Sequence, residues 1–424
     1  MNQLFCIIIY AILWLVTSII AYIKIRKINL ATLLVTGYFI TSLTSIYFYF
    51  NAPVSREIFN VTFGPFIFLY FCILITIYPI LRYNKVLDYI YLPPIKDHHI
   101  VLGFLLVISP FIIDSFIELF LASLSADAIS LSDAYETDAN TVVRSLSKIG
   151  VWGYLISHYL AYLWPILFFY CLSQSSLYCK ISIIALLAFM IEIMQGYVGG
   201  NRVTLVRFIL YFFIVFALMK NNLSTLMLKR IKISSIVVLG IIISAISIIT
   251  IVRLDGLSVD FDMQSFLSLY TGEGCIRFSQ YIWELDKTSN GDTCFSLFKD
   301  LFGFDTFVDN MERRDYYEGY FKIPTYIFYT YIGDFVQDLG KIGTLLLCLF
   351  VNRVLIFILK INVSKYVKCN FITIFILSTI LEIFYFGFMY YNFKTYSDQL
   401  QLFLSLIAVL LLNMFCTKLN RIYK

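Results

Sequence analysis

Long apolar runs separated by short polar connections repeat along almost the whole chain, and one polar stretch breaks the rhythm. The runs cover about 4–22, 30–50, 61–81, 100–121, 149–172, 181–198, 203–219, 233–252, 341–359, 370–391 and 400–416. Each fits the roughly 17–25 residues that a helix needs to cross a bilayer. The pattern therefore predicts an all-α polytopic membrane protein of about 11 transmembrane helices. A membrane β-barrel would alternate in segments of about ten residues, whereas these runs are continuous. The exception is the stretch 253–340, which the pattern makes one large loop between helices 8 and 9. No internal repeat or low-complexity linker appears, so 1–424 reads as a single membrane domain with that loop inserted.

Charge orients these spans. The connections after helices one, three, five, seven, nine and eleven hold about 17 Lys and Arg against Asp88 and Asp97 alone. Basic connections stay in the cytoplasm, so the N-terminus is expected outside and the C-terminus inside. The long loop, the Gly199-Gly200 turn and the acidic connection with Asp127, Asp133, Glu136 and Asp138 then face the extracytoplasmic side. Composition agrees: 60% of residues are hydrophobic and 14% charged, where a soluble domain carries about a quarter charged. The net charge of +5 follows from topology, and no nucleic-acid partner is expected. Of nine cysteines, Cys275 and Cys294 share the polar stretch, and a disulfide between them is one alternative. With no C-x-x-C and only His98, His99 and His158, no metal site is expected. Run 4–22 lacks a basic leader and a small-residue cleavage site, and reads as a first membrane helix.

Chemistry concentrates at a few places. Gly199-Gly200-Asn201-Arg202 breaks the chain just before a helix N-terminus, whose free N–H groups favour an anion such as phosphate. Arg202 stands at that end, with Arg207 about 7.5 Å further along the helix. Glu192, at similar depth in the preceding run, is the structural alternative as partner of Arg207. Arg253 ends helix eight, where it can equally snorkel. Arg277 lies in Gly272-Glu273-Gly274-Cys275-Ile276-Arg277, where a surface pair with Glu273 is the plain alternative. Four arginines on one membrane face would suit phosphate, because guanidinium forks bind it bidentately. Asp334 and Asp338 share a face if their segment is helical. Either is a candidate general base or a cap for helix nine, and Glu273 competes for the base role. Tyr270, Tyr281 and Trp283 are among the aromatic groups of the polar stretch. Glu382 lies mid-membrane with no obvious counter-ion, and His158 reads as a buried histidine bonded to a neighbouring helix. Asp260-Phe261-Asp262 matches a D-x-D by chance, and no Walker A, G-x-S-x-G or H-E-x-x-H occurs.

Together these features resemble the bacterial O-antigen and capsular repeat-unit polymerases, the Wzy-type family. The resemblance covers the whole chain in layout. It is specific in Gly199-Gly200-Asn201-Arg202 and in Ile323-Pro324-Thr325 followed by Ile332-Gly333-Asp334, Gly340 and Gly343. It implies a metal-independent glycosyltransferase of the bacterial inner membrane that needs no cofactor. A growing glycan on undecaprenyl diphosphate would pass to the terminal sugar of the next lipid-linked oligosaccharide. Arg202, Arg207, Arg253 and Arg277 would hold the diphosphate, Asp334 or Glu273 would deprotonate the acceptor, and Tyr270, Tyr281 and Trp283 would grip sugars. The lipid bilayer and the lipid-linked oligosaccharide are the implied partners, with a chain-length regulator left open. An O-antigen ligase uses the same donor and is the nearest rival. A flippase would show short loops and symmetric halves, and an acyltransferase would want a catalytic histidine.

Overall fold

The computed structural model describes the chain apart from residues 1–2, 53–56, 89, 91–97, 126–145, 175, 200, 234–239, 241–246, 248–262, 326, 362–369 and 423–424. The expected helix eight, the acidic connection, Arg253 and the Asp260-Phe261-Asp262 match thus lie wholly or largely outside the described residues. Every regular element among the described residues is helical. In chain order they are α1 (Gln3–Ile25), α2 (Leu30–Asn51), α3 (Phe63–Arg82), α4 (Asn84–Asp88), α5 (His98–Ser125), α6 (Lys148–Tyr159), α7 (Trp164–Leu172), α8 (Ser176–Val198) and α9 (Arg202–Met219). After them come α10 (Met263–Arg277), α11 (Ser296–Leu301), α12 (Asn310–Phe321), α13 (Tyr331–Ile361), α14 (Phe371–Phe386) and α15 (Tyr396–Ile422). Among the described residues eight helices are long and apolar enough to cross a membrane: α1, α2, α3, α5, α8, α9, α13 and α15. The run expected as one helix over 149–172 is instead α6 and α7, bent by 86°. Pro165 near the start of α7 explains part of the break, since a proline lacks the N–H that would continue the helix. The run expected as helix ten is regular over only 16 residues, as α14.

The chain falls into two compact units, residues 1–88, 259–365 and 380–400 in the first and 89–258, 366–379 and 401–424 in the second. In the first unit α1 packs on α2, α2 on α10, and α3 on α13. Trp14 stacks on Tyr38 with centroids 4.8 Å apart, and Thr17 and Tyr70 share a hydrogen bond of 2.7 Å. Gly272 lets α10 approach α2, because a Cβ there would lie 2.5 Å from the carbonyl oxygen of Thr44. The long polar stretch folds, where described, into α10, α11, α12 and the first turns of α13. Gly340 interrupts α13 with φ 71° and ψ 173°, a conformation that glycine adopts readily. The helical piece before it puts Asp334 and Asp338 on one face.

In the second unit α5 packs on α6 and α8, and α8 on α7. Gly153 of α6 allows the contact with α5, since a Cβ there would lie 2.0 Å from the carbonyl oxygen of Phe111. At the bend, Trp164 donates its indole N–H to the carbonyl of Ser157 at 3.0 Å, and Tyr211 donates to the carbonyl of Tyr162 at 2.8 Å. These bonds take up carbonyls that the interrupted helix leaves without an amide.

Candidate functional site

The expected anion site at the Gly199-Gly200 turn is built differently from a bare helix end. Asn201 caps α9, its Oδ1 accepting the N–H of Thr204 at 3.2 Å. One of the amides read as free for an anion is therefore occupied by the protein's own side chain. The side chain of Arg202 lies outside the described part of the structure. Arg207 is buried, donates to the hydroxyl of Tyr162 and stands 5.7 Å from the centre of that ring. Glu192, named above as its counter-ion, is buried with His158 Nδ1 at 3.3 Å. His158 thus bonds to a neighbouring helix, as its position suggested, but is half-buried and not buried.

Arg277 belongs to the first unit, at the end of α10, where a π-helical turn follows over Phe278–Ile282. The expected pair with Glu273 is present, but it is buried and not on the surface: Arg277 and Glu273 are each 1% exposed. Nε donates to Glu273 Oε1 at 3.1 Å, and Nη1 donates to Gln280 Oε1 at 2.5 Å and to the carbonyl of Glu57 at 2.9 Å. The rings of Phe48 and Tyr281 flank the guanidinium at 5.6 and 5.8 Å. Such an arrangement holds a turn in place, and it engages Glu273 as a counter-ion. The aromatic candidates lie close by in sequence: Tyr270 packs on Phe328, Tyr281 on Phe59, and Trp283 between Phe68 and the ammonium of Lys341, which is 4.4 Å from its ring centre. Cys275 and Cys294 are both free thiols. The Cys275 thiol, 3.0 Å from Ser45 Oγ, is pushed up to about 12 by burial.

A second cluster of the first unit gathers around Asp334 and Asp338, both within 2% of full burial. Asp338 clamps the polar stretch to α13. It accepts the hydroxyl of Ser289, the amide of Thr293 at 3.0 Å and the amide of Cys294 at 2.5 Å. Asp334 accepts the amide of Tyr391 at 2.6 Å. Two cations that the sequence reading did not single out stand within electrostatic reach, Arg313 of α12 and Lys394 of the connection before α15. Arg313, buried, donates to the carbonyl of Lys394 and to Asn310 Oδ1 at 2.7 Å. The Lys394 ammonium sits 4.3 Å from the centre of the Tyr390 ring. Burial pushes the Lys394 ammonium below the ordinary lysine value; Asp334 opposes the shift, and Arg313 and Arg314 add to it. Burial likewise lowers Arg313, against the pull of Asp334. Among the described residues neither cation has a carboxylate oxygen within 4.0 Å. One signal could have found Lys394: a lysine on a connection assigned outside runs against the basic-inside bias.

Comparison of the chain with protein-family models, with curated proteins and with solved structures finds no match. The residues and their geometry therefore carry the functional reading.

Proposed function

We propose that the chain polymerises lipid-linked oligosaccharide repeat units, moving a growing glycan from undecaprenyl diphosphate to the terminal sugar of the next lipid-linked unit. The finer topology belongs to the same proposal: eleven spans, N-terminus outside and C-terminus inside a bacterial inner membrane, with the polar stretch on the outer face. The observation that best supports it is the buried carboxylate of Asp334 in the first turn of a membrane-length helix, within reach of Arg313 and Lys394 but bonded to neither. In this reading Asp334 takes the proton of the acceptor hydroxyl as general base. The acceptor oxygen then bonds to the anomeric carbon as the bond to the diphosphate breaks. Cations nearby offset the charge that develops on the leaving diphosphate. The donor is already activated, so the scheme needs no metal or cofactor. Glu273 is the weaker base candidate, because Arg277 already holds it at 3.1 Å.

The test is deletion of the gene in its own host, complemented by wild type or Asp334→Asn, with surface glycan read on a gel. Single repeat units without the ladder, in both the deletion and the variant, support the polymerase. Loss of all surface glycan would point to the ligase or flippase, and an unchanged ladder in the deletion would end the proposal.

A further inference from the structure

The segment from α11 into α12 is built inside out for a water-exposed loop. Phe298 is 49% exposed, Phe302 76%, Phe304 64% and Val308 64%. Two polar groups of the same segment bond back to the protein, while Asp300 and Asp305 stay exposed beside the apolar side chains. Lys299 pairs with Asp292, and Asp300 Oδ2 accepts the hydroxyl of Tyr396 at 2.7 Å. An apolar patch of this kind marks a contact with a partner or a membrane.

The depth of the segment decides between them. The amide of Leu297 donates to Gln399 Oε1 at 3.0 Å, and Gln399 Nε2 donates back to the carbonyl of Thr293 at 3.0 Å. Gln399 lies in the first turn of α15, one of the membrane-length helices. Asp338, which holds the amides of Thr293 and Cys294, lies in the second turn before the membrane-length body of α13. Four residues beyond Asp338, Ile342 begins the outward apolar surface of α13 at 78% exposure, continued by Leu346 and Phe350. The segment is thus fastened beside the first turns of two membrane-length helices. Exposed apolar side chains are found both on the segment and on the helix to which Asp338 fastens it. Nearby Tyr316 and Tyr320 are exposed as well, with the Lys287 ammonium 4.6 Å from the Tyr320 ring, a composition typical of the membrane–water interface.

We infer that residues 298–308 form an interfacial anchor whose aromatic and aliphatic side chains insert between the headgroups of the adjacent leaflet. The occupant is the bilayer surface itself. An amphipathic segment in this position lies about 5–10 Å into the headgroup and acyl boundary. The inference does not depend on the catalytic proposal, nor on which side of the membrane the segment faces.

The test uses the full chain in nanodiscs of phosphatidylethanolamine and phosphatidylglycerol. p-Benzoylphenylalanine replaces Phe302 or Phe304 in separate proteins, and Asp315, an exposed residue of α12, in a third. Because the first two replacements keep an aromatic ring at exposed sites, they leave the fold intact. After irradiation, mass spectrometry of the labelled peptides counts lipid adducts. Several-fold more lipid adduct at 302 and 304 than at 315 is the expected result. Adduct yields at 302 and 304 no higher than at 315 would overturn the anchor. Adducts to a second copy of the chain would overturn it too, and would make the patch a self-association surface.

Discussion

Two buried charge clusters of the first unit differ in how they are closed. At Arg277 the guanidinium is divided among Glu273, Gln280 and a carbonyl, all within 3.1 Å, and two aromatic rings flank it. Around Asp334 the carboxylate and Arg313 are buried and Lys394 half-buried, yet Arg313 spends its hydrogen bonds on a carbonyl and an amide oxygen, and Lys394 rests on a ring. The first cluster cancels its own charge by contact. The second leaves a carboxylate and two cations within reach of one another with no ion pair between them, which is the feature the proposed role of Asp334 rests on. Burial of an arginine is therefore a poor mark of a site, and the partners it already has are a better one.

The comparison is most exposed at Asp334. Asp334→Asn keeps the side chain's size and an acceptor for the Tyr391 amide while removing the proposed base. Chain growth by the purified protein in lipid should slow about 10²–10⁴-fold, the usual worth of a positioned general acid or base, with its melting temperature near wild type. Wild-type turnover in a variant that melts normally would move the base elsewhere. Next comes the closed cluster. Glu273→Ala strands a buried guanidinium and should cost about 3–5 kcal/mol, read as loss of folded protein in a detergent melt. The double change Glu273→Leu with Arg277→Met should recover most of that loss. A double variant no better than the single one would mean that the pair is not the closed unit described above.

Part of this contrast could be read in the sequence. The four-residue spacing of Glu273 and Arg277 announced their pair, and that of Asp334 and Asp338 announced their shared face, because helical periodicity is local. Gly340 marked the break at which the body of α13 begins. Burial of the Arg277 pair was not legible, since it depends on Phe48 of α2 and on the carbonyl of Glu57, which come from far up the chain. Nor was the gathering of Arg313 and Lys394 at Asp334. That gathering is set by how α12 and the Tyr390–Lys394 connection pack, which no single periodicity encodes. The bend between α6 and α7 was hidden for the opposite reason: both arms are so apolar that the run reads as one crossing.

Asp338 is the closed part of the open cluster and tests where the boundary lies. Asp338→Ala leaves the Thr293 and Cys294 amides without their acceptor, at about 1–3 kcal/mol for each buried donor. Melting should fall accordingly, and amide exchange should speed up at 293 and 294 before it does elsewhere. Asp338→Asn, which keeps one oxygen, should lose less. Slow exchange at both amides in Asp338→Ala would show that other contacts hold the polar stretch to α13.

The smallest effect should come from Lys394, and it appears in a pH profile. Burial holds the folded pKa of this lysine below its unfolded value of about 10.4. Between those two values the unfolded chain binds the extra proton, so this group's contribution to stability rises with pH across that window. Tyr317, Tyr329 and Cys294, whose pKa values are raised chiefly by burial, act in the opposite sense as pH climbs. They are present in wild type and in Lys394→Met alike, so the difference between the two melting profiles isolates the lysine. That difference should shift in favour of wild type from neutral pH towards about pH 10. A flat difference would mean that water reaches the ammonium. Its field at Asp334 would then be screened, and the help proposed for it at a departing diphosphate would shrink in the same proportion.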